Sequence, residues 1–266
     1  GHIQVCEFLI SRVKNIKDYD RPFYGGCRAG SAFHEAAYKG HFEICQLIIK
    51  NIDDKNPEDG NQQTPLHLAA QKGHFEICKL IIDNVDDKNP QDEYDVTPLH
   101  FAALAGHFNI CQLIIESLNE KNRAYLKSKV TTLKKPENWR GNTPLHYAAK
   151  RGHVKICWFI LITVEEKNPR GRKGETPLHL AAKQGHFEVC QLMVKHVDNL
   201  YPVNDDRETP YSLAVDDSIC NLISEHNSLR GNSSYIEDTE TEWETSDEST
   251  SESSEWSMES GMEYSY

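Results

Sequence analysis

One fifteen-residue stretch, TPLHLAAQKGHFEIC at residues 64–78, brings two histidines and a cysteine close together in the sequence. His74 and Cys78 are four residues apart, a spacing that places two side chains on one face of a helix. Imidazole nitrogens and thiolates bind zinc, and a histidine beside a cysteine can activate the thiol as a nucleophile. The stretch is therefore a candidate for half of a zinc site or for a catalytic pair, and the rest of the sequence must decide between them and a structural role.

The eight cysteines of the 266-residue chain lack the spacing of a zinc site or a disulfide framework. A zinc site normally contains a close pair such as CxxC, and the sequence has none. Isolated thiols of this kind are typical of a reducing compartment, where we expect them to be small buried apolar groups. Cys27, in a glycine-rich stretch, is the best candidate for an exposed thiol. The other seven each follow Ile or Val: Cys6, Cys45, Cys78, Cys111, Cys157, Cys190 and Cys220.

Charge and hydrophobicity divide the chain into a body and a tail. Residues 1–230 contain all 29 Lys and Arg and 30 Asp and Glu, whereas residues 231–266 contain 11 Asp and Glu and no Lys or Arg. We therefore expect a near-neutral body and an acidic, Ser/Thr-rich tail that is disordered. The longest apolar run, Ile156–Val164, is far shorter than the about 20 residues of a membrane helix. Because no secretion signal is visible either, we expect a cytoplasmic or nuclear location.

The strongest signal along the chain is internal repetition with a period of 33 residues. A weaker copy begins at Ser31, and a segment of the type GHFEICQLII stands alone at Gly1, so the sequence begins in the middle of a repeat. The longest interval contains thirteen extra residues between Asn122 and Pro136, with five Lys and Arg. The dipeptide TP recurs at intervals of 33, 46, 33 and 33 residues, at Thr64, Thr97, Thr143, Thr176 and Thr209.

The histidines and cysteines recur because the repeat recurs. Eleven of the thirteen histidines occupy two fixed positions, one in the TP motif and one directly after a glycine. A zinc or catalytic site is formed once from converging side chains, so five copies of the same pair indicate a structural role. Equivalent cysteines on stacked helices should lie about 8–10 Å apart, which is beyond the reach of a disulfide.

Each copy predicts a helix, a turn, a second helix and an extended loop. The threonine is a preferred N-cap, and proline suits the first helical position because no N–H is needed there. Gly73 ends the first helix, since a C-terminal cap often requires a positive φ. Loops such as NVDDKNPQD are rich in Asp, Asn and Pro, as turns are. Because one unit cannot bury its apolar faces alone, the copies must stack.

The segment TPLHLAAQKGHFEICKLII resembles the ankyrin repeat, whose motif contains T-P-L-H-x-A at a 33-residue period. The resemblance covers about residues 1–228 and implies an all-α solenoid of antiparallel helix pairs, with loops projecting to one side. It also implies that the repeating histidines hydrogen-bond between loops and neighbouring units. We predict a repeat domain at 1–230, with about five full repeats at 27–204 and a degenerate C-terminal cap at about 205–228, followed by the tail at 231–266.

The resemblance further implies that ligands contact the loop tips before TP and the exposed end of the first helix. At these positions the middle repeats are aromatic or apolar, as interface hot spots are, and the C-terminal repeats are basic. This pattern predicts an acidic or phosphorylated protein ligand, and a solvated face with chance clustering of charge is the alternative. No catalytic, cofactor or metal site is predicted. The predicted partner-binding residues are Tyr94, Val96, Leu104, Trp139, Arg140, Lys150, Arg151, Arg172, Lys173 and Lys183.

Taken together, the sequence predicts a non-enzymatic scaffold or adaptor that binds protein partners, without nucleic-acid binding or membrane insertion. The acidic tail is a candidate for an intramolecular competitor that contacts the basic half of the repeats. One alternative is that the chain is the cytosolic ankyrin domain of a larger channel or enzyme, whose activity precedes Gly1. Another is an enzyme substrate, because Asn56, Asn89 and Asn168 lie at the loop position that is hydroxylated in ankyrin proteins.

Overall fold

The computed structural model of the chain describes residues 32–121, 141–164 and 166–232, and within these ranges every regular element is a helix. Cys6, Cys27 and the acidic tail from residue 233 lie outside the described residues, as do residues 122–140, which contain the thirteen extra residues and the predicted partner-binding residues Trp139 and Arg140. No helix in the described ranges is both long and apolar enough to cross a membrane.

The helices form two rows, and each repeat contributes one helix to each row. Successive first-row helices pack on one another, and from α1 to α10 each also packs on its own second-row partner. The first row consists of α1 (Ala32–Lys39), α3 (Pro65–Lys72), α5 (Pro98–Ala105), α7 (Pro144–Arg151), α9 (Pro177–Gln184) and α11 (Pro210–Leu213). The second row consists of α2 (Phe42–Asn51), α4 (Phe75–Asn84), α6 (Phe108–Lys121), α8 (Val154–Thr163), α10 (Phe187–His196) and α12 (Asp217–Asn232). The predicted all-α solenoid is thus confirmed.

The ends of the first-row helices follow from their own residues. Thr64 is the N-cap of α3, with extended backbone angles, and Pro65 occupies the first helical position. Gly73 ends α3 in the left-handed conformation, at φ 81° and ψ 18°, which an L side chain rarely adopts. The equivalent threonines and glycines bound α5, α7 and α9 in the same way, and the predicted helix boundaries are confirmed.

Between the two rows lies a continuous apolar core. Leu66, Ala69 and Ala70 of α3 are completely buried, and the small alanines allow neighbouring helices to approach closely. The register cysteines within the described ranges are free thiols. Burial raises the pKa of Cys78 to about 12, so its thiol stays protonated and packs as a small apolar group. The same pKa shift and cause apply to Cys45, Cys111, Cys157 and Cys190.

The last unit is shorter and more polar than the others, as a C-terminal cap is expected to be. Its first-row helix α11 has only four residues, and Thr209 caps it by accepting a hydrogen bond from the backbone N–H of Ser212. Ser212 stands where the other units have histidine, so this unit has no imidazole to reach a further repeat. Cys220 is half-buried, unlike the five equivalent cysteines in the described residues before it.

Candidate protein-binding surface

The histidine of the TP motif joins each repeat to the next one. His67 is completely buried, and its Nδ1 accepts a hydrogen bond from the backbone N–H of Thr64 at 3.0 Å. Its Nε2 lies 3.1 Å from the carbonyl oxygen of Val96 in the following repeat. Since a backbone N–H only donates and a carbonyl only accepts, the ring is the neutral tautomer with hydrogen on Nε2. Equivalent contacts join His34 to Gln63, His100 to Asn142, His146 to Glu175 and His179 to Glu208.

The histidine after the glycine reaches in the opposite direction. His74 Nε2 lies 3.1 Å from the carbonyl oxygen of Tyr38, which belongs to the preceding repeat. His107, His153 and His186 make the same contact with Gln71, Leu104 and Lys150. In the described ranges no three His, Cys, Asp or Glu side chains converge as metal ligands would. The repeating histidines, which could have formed a reactive site, therefore form hydrogen bonds between neighbouring repeats.

The hairpin-like loop tips project from the start of each first-row helix. In the tip before α5, the Asp92 N–H donates to the carbonyl oxygen of Val96 at 2.9 Å. Asp92 Oδ1 accepts hydrogen bonds from the backbone N–H groups of Tyr94 and Val96, both at 2.9 Å. Asp95 completes the turn with a positive φ of 58°. This side-chain turn holds Tyr94 at the tip, where 37% of its surface is exposed.

The tip before α9 has glycine where the tip before α5 has Asp92. There the Oδ1 of Asn142, from the preceding tip, accepts the N–H of Arg172 at 3.1 Å. A Cβ on Gly171 would lie only 2.4 Å from that oxygen, so the glycine leaves room for the neighbouring amide. Asn142 thus supplies a side-chain acceptor from the preceding tip for a backbone N–H of this one.

Replacing Asn142 by alanine is expected to destabilise the chain by about 1 kcal/mol, because the Arg172 N–H loses its acceptor. Asn142→Asp keeps an oxygen at this position and is expected to retain most of the stability. Urea unfolding followed by circular dichroism measures both changes. Equal loss in the two variants would show that this hydrogen bond does not support the tip.

Two of the predicted positions lie eight residues apart in each repeat, one before the N-cap and one near the end of the first-row helix. In the repeat of α9 they are Glu175 and Lys183, and Lys183 Nζ lies 3.3 Å from Glu175 Oε1. In the repeat of α5 the same positions are Val96 and Leu104, both half-buried. These two positions therefore carry an ion pair in one repeat and apolar side chains in the other.

The basic half of the surface is partly neutralised by acidic neighbours. Lys173 Nζ lies 3.9 Å from Asp206 Oδ2, and Lys183 is paired with Glu175 as described above. The backbone of Lys173 has a positive φ of 57°. Its carbonyl oxygen accepts a hydrogen bond from the Asp205 N–H, in the next loop tip, at 2.8 Å. Two of the predicted cations are thus already in contact with carboxylates.

Three other predicted cations are exposed without such a partner. Lys150 and Arg151 end α7, and Arg172 lies at the tip before α9. Within the part of the chain that the structure describes, none of the three has a carboxylate at salt-bridge distance. The positive charge of the surface is therefore concentrated at the end of α7 and at this tip.

The structure adds an apolar row that the sequence analysis did not single out. The same position in α3, α5 and α7 is occupied by Leu68, Phe101 and Tyr147, and each of these side chains is half-buried. Phe101 lies edge-on to the ring of His67, with centroids 6.0 Å apart, and Tyr147 contacts His100 likewise at 5.9 Å. The signal was present in the sequence, because the residue after each TP-motif histidine is apolar from the second copy onward.

Phe101, Leu104 and Tyr147 form one surface, the apolar patch. Phe101 and Leu104 are three residues apart on α5 and so share a helix face. Tyr147 and Lys150 occupy the equivalent positions on α7, which packs directly on α5. The patch is therefore bordered on α7 by the unpaired cations Lys150 and Arg151.

Comparison with known proteins agrees with this architecture. The family described as "Ankyrin repeats (3 copies)" matches the chain at residues 33–125, 97–170 and 161–230. A crystal structure of an ankyrin repeat domain from Acinetobacter baumannii is similar, with a TM-score of 0.62 and 21% sequence identity over 73% of this chain and 97% of that one. No curated protein sequence matches the chain significantly.

Proposed function

The chain belongs to the ankyrin repeat family, and we propose that it is a non-enzymatic scaffold or adaptor that captures a protein partner on its first-row face. Ankyrin repeats are in general protein–protein interaction modules. The repeats at about 27–204, with their cap, form the binding domain in this proposal. The partner contacts the first-row helices and the loop tips that precede them.

The observation that carries the proposal is the apolar patch. Large apolar side chains, aromatic ones above all, occur in interface hot spots, and a group of partly exposed ones is typical of a binding site. The rings of Phe101 and Tyr147 are already held by the buried histidines of the preceding repeats. A partner that covers them therefore orders few side chains on binding, which lowers the entropic cost of association.

The side chains that could do chemistry have structural roles in the described residues. Both ring nitrogens are engaged in His67, His100, His146 and His179. Five register cysteines are buried with a raised pKa, as in Cys78, so their thiols stay protonated. These contacts support a binding role rather than catalysis.

Truncating the apolar patch is expected to reduce capture of the partner more than tenfold, because hot-spot side chains contribute about 2 kcal/mol or more each. The test variant is Phe101→Ala combined with Tyr147→Ala. The full chain and its variants are used as bait in cell extract, the captured protein is identified by mass spectrometry, and its affinity is measured by calorimetry.

The chain offers a matched control on the other row. Trp158 and Ile162 of α8 are exposed to 37% and 52%, and other second-row helices have polar residues at these positions. Trp158→Ala combined with Ile162→Ala removes a similar apolar area and is expected to leave capture unchanged. Loss of capture with this control alone, in variants that still melt cooperatively, would place the partner on the second row and contradict the proposal.

A further inference from the structure

The last two positions of the first-row helices show how unusual the end of α7 is. Lys150 and Arg151 are the only two consecutive cations at these positions between α1 and α9. Neither contacts a carboxylate or an aromatic ring at short distance within the described ranges. The other cations at these helix ends each have a partner. Lys39 forms an ion pair with Glu35 at 3.7 Å, and Lys183 forms one with Glu175 at 3.3 Å. Lys72 lies over the ring of Tyr38, 4.5 Å from its centroid.

The end of α7 does not require these two cations for its own stability. Cations often end helices because they interact with the last free carbonyl groups. Here the Ala148 carbonyl accepts the N–H of His153 at 3.0 Å, and the Lys150 carbonyl accepts the Nε2–H of His186 at 3.0 Å. Among the described residues, nothing therefore engages the ammonium and guanidinium groups, and they can meet a ligand.

The carboxylate that would neutralise Lys150 is missing from its own repeat. Glu175 provides it for Lys183, but the equivalent residue facing Lys150 is Asn142, which carries no charge. The Asn142 Oδ1 is bonded to the backbone N–H of Arg172, so it is committed to the loop tip. No described residue of this repeat therefore supplies an acid here, and an acid on the ligand would add the complementary charge that selects partners and accelerates association.

We propose that the partner presents an acidic segment in which a large apolar side chain is flanked by Asp or Glu. The apolar side chain packs on Phe101, Leu104 and Tyr147, and the neighbouring carboxylates bind Lys150 and Arg151. This inference rests on the proposed function and specifies the chemistry of the ligand. Lys173 and Lys183 are not required for it, because they already contact Asp206 and Glu175.

A phage-displayed library of random linear peptides, selected on the full chain, tests the inference. The selected peptides are expected to be enriched in Asp and Glu next to Trp, Phe or Leu, and to bind more weakly as salt is raised. Lys150→Glu combined with Arg151→Glu is expected to weaken these peptides at least about tenfold. The control, Lys79→Glu combined with Lys155→Glu, changes the net charge equally at exposed second-row positions and is expected to leave binding unchanged.

The outcomes separate this inference from the proposed function. Peptides that need Phe101 and Tyr147 but show no acidic enrichment, or that bind the Lys150 and Arg151 variant undiminished, overturn the acidic ligand and leave the proposed binding face intact. Peptides that bind the patch-truncated variant undiminished contradict the face as well. Failure to select any peptide on the full chain also overturns the inference, because a short acidic segment is then not sufficient.

Discussion

Lowering the pH from 7 to 5 is expected to reduce the free energy of unfolding of the repeat stack by at least about 4 kcal/mol. Burial of the imidazole lowers the pKa of His67 and of His146 to about 4 in the folded chain, against an ordinary value of 6.5. Between these two values the unfolded chain binds more protons than the folded one, so protonation favours unfolding. At pH 5 each of the two rings contributes about 2 kcal/mol to this loss.

The direction of the effect is set by the depressed pKa of a base. The stability that these two neutral rings contribute is fully present above pH 6.5 and is lost as the pH falls towards about 4. Below about pH 4 the two rings cause no further loss. Most carboxylates titrate below pH 5 and affect this window little. Burial also lowers the pKa of four other histidines, which adds to the loss in the same direction: His34, His107, His153 and His179.

Urea unfolding at pH 7 and pH 5, at one ionic strength, measures the loss. His146→Gln keeps an acceptor and a donor but does not titrate, so it is expected to lose about 2 kcal/mol less over the same pH range. His196→Gln is the control, because that ring bonds only within its own helix, from Nδ1 to the Leu192 carbonyl at 2.9 Å. A chain that is equally stable at both pH values would show that the buried histidines between the repeats are not held in the neutral form.

Replacing Gly152 by alanine is expected to cost about 2–3 kcal/mol. Gly152 ends α7 with a φ of 75°, which costs an L residue roughly 1–2 kcal/mol. A Cβ there would also lie 2.7 Å from Nδ1 of His186, so the ring must move. Movement breaks the 3.0 Å hydrogen bond from His186 Nε2 to the Lys150 carbonyl, which adds about 1 kcal/mol.

Gly185→Ala separates the two causes. Gly185 ends α9 with a φ of 77°, but a Cβ there would meet only Cγ2 of Val215, at 2.9 Å. Val215 is exposed and its side chain can move, so we expect this variant to lose only the backbone part. Thermal and urea unfolding of both variants give the difference, and an equal loss would mean that the histidine contact contributes nothing.

The architecture was predictable from the sequence because it is determined locally and then repeated. Thr64 with Pro65 starts a helix, Gly73 ends it with a positive φ, and the same residues recur every 33 positions. Repetition also showed that His67 and Cys78 are structural, since a reactive site is not expected in five copies. The domain limits, the acidic tail and Trp139 with Arg140 remain predictions, because they are not tested by the described residues.

The chemistry of the surface was decided only by the tertiary structure. The sequence shows Lys150, Lys173 and Lys183 as equal cations, but charge is cancelled through space, by Asp206 from the next tip and by Glu175 across α9. The folded chain thus distinguishes a free cation from paired ones.

The neutral contacts between repeats likewise form only through space, between residues that are far apart in the sequence. Asn142 reaches Arg172 across 30 residues, and the Phe101 ring is held by His67 from the preceding repeat. The repeat period determines which residues are equivalent, and thus the fold. Which side chains remain available to a partner depends on distances between neighbouring repeats, and those exist only once the helices have stacked.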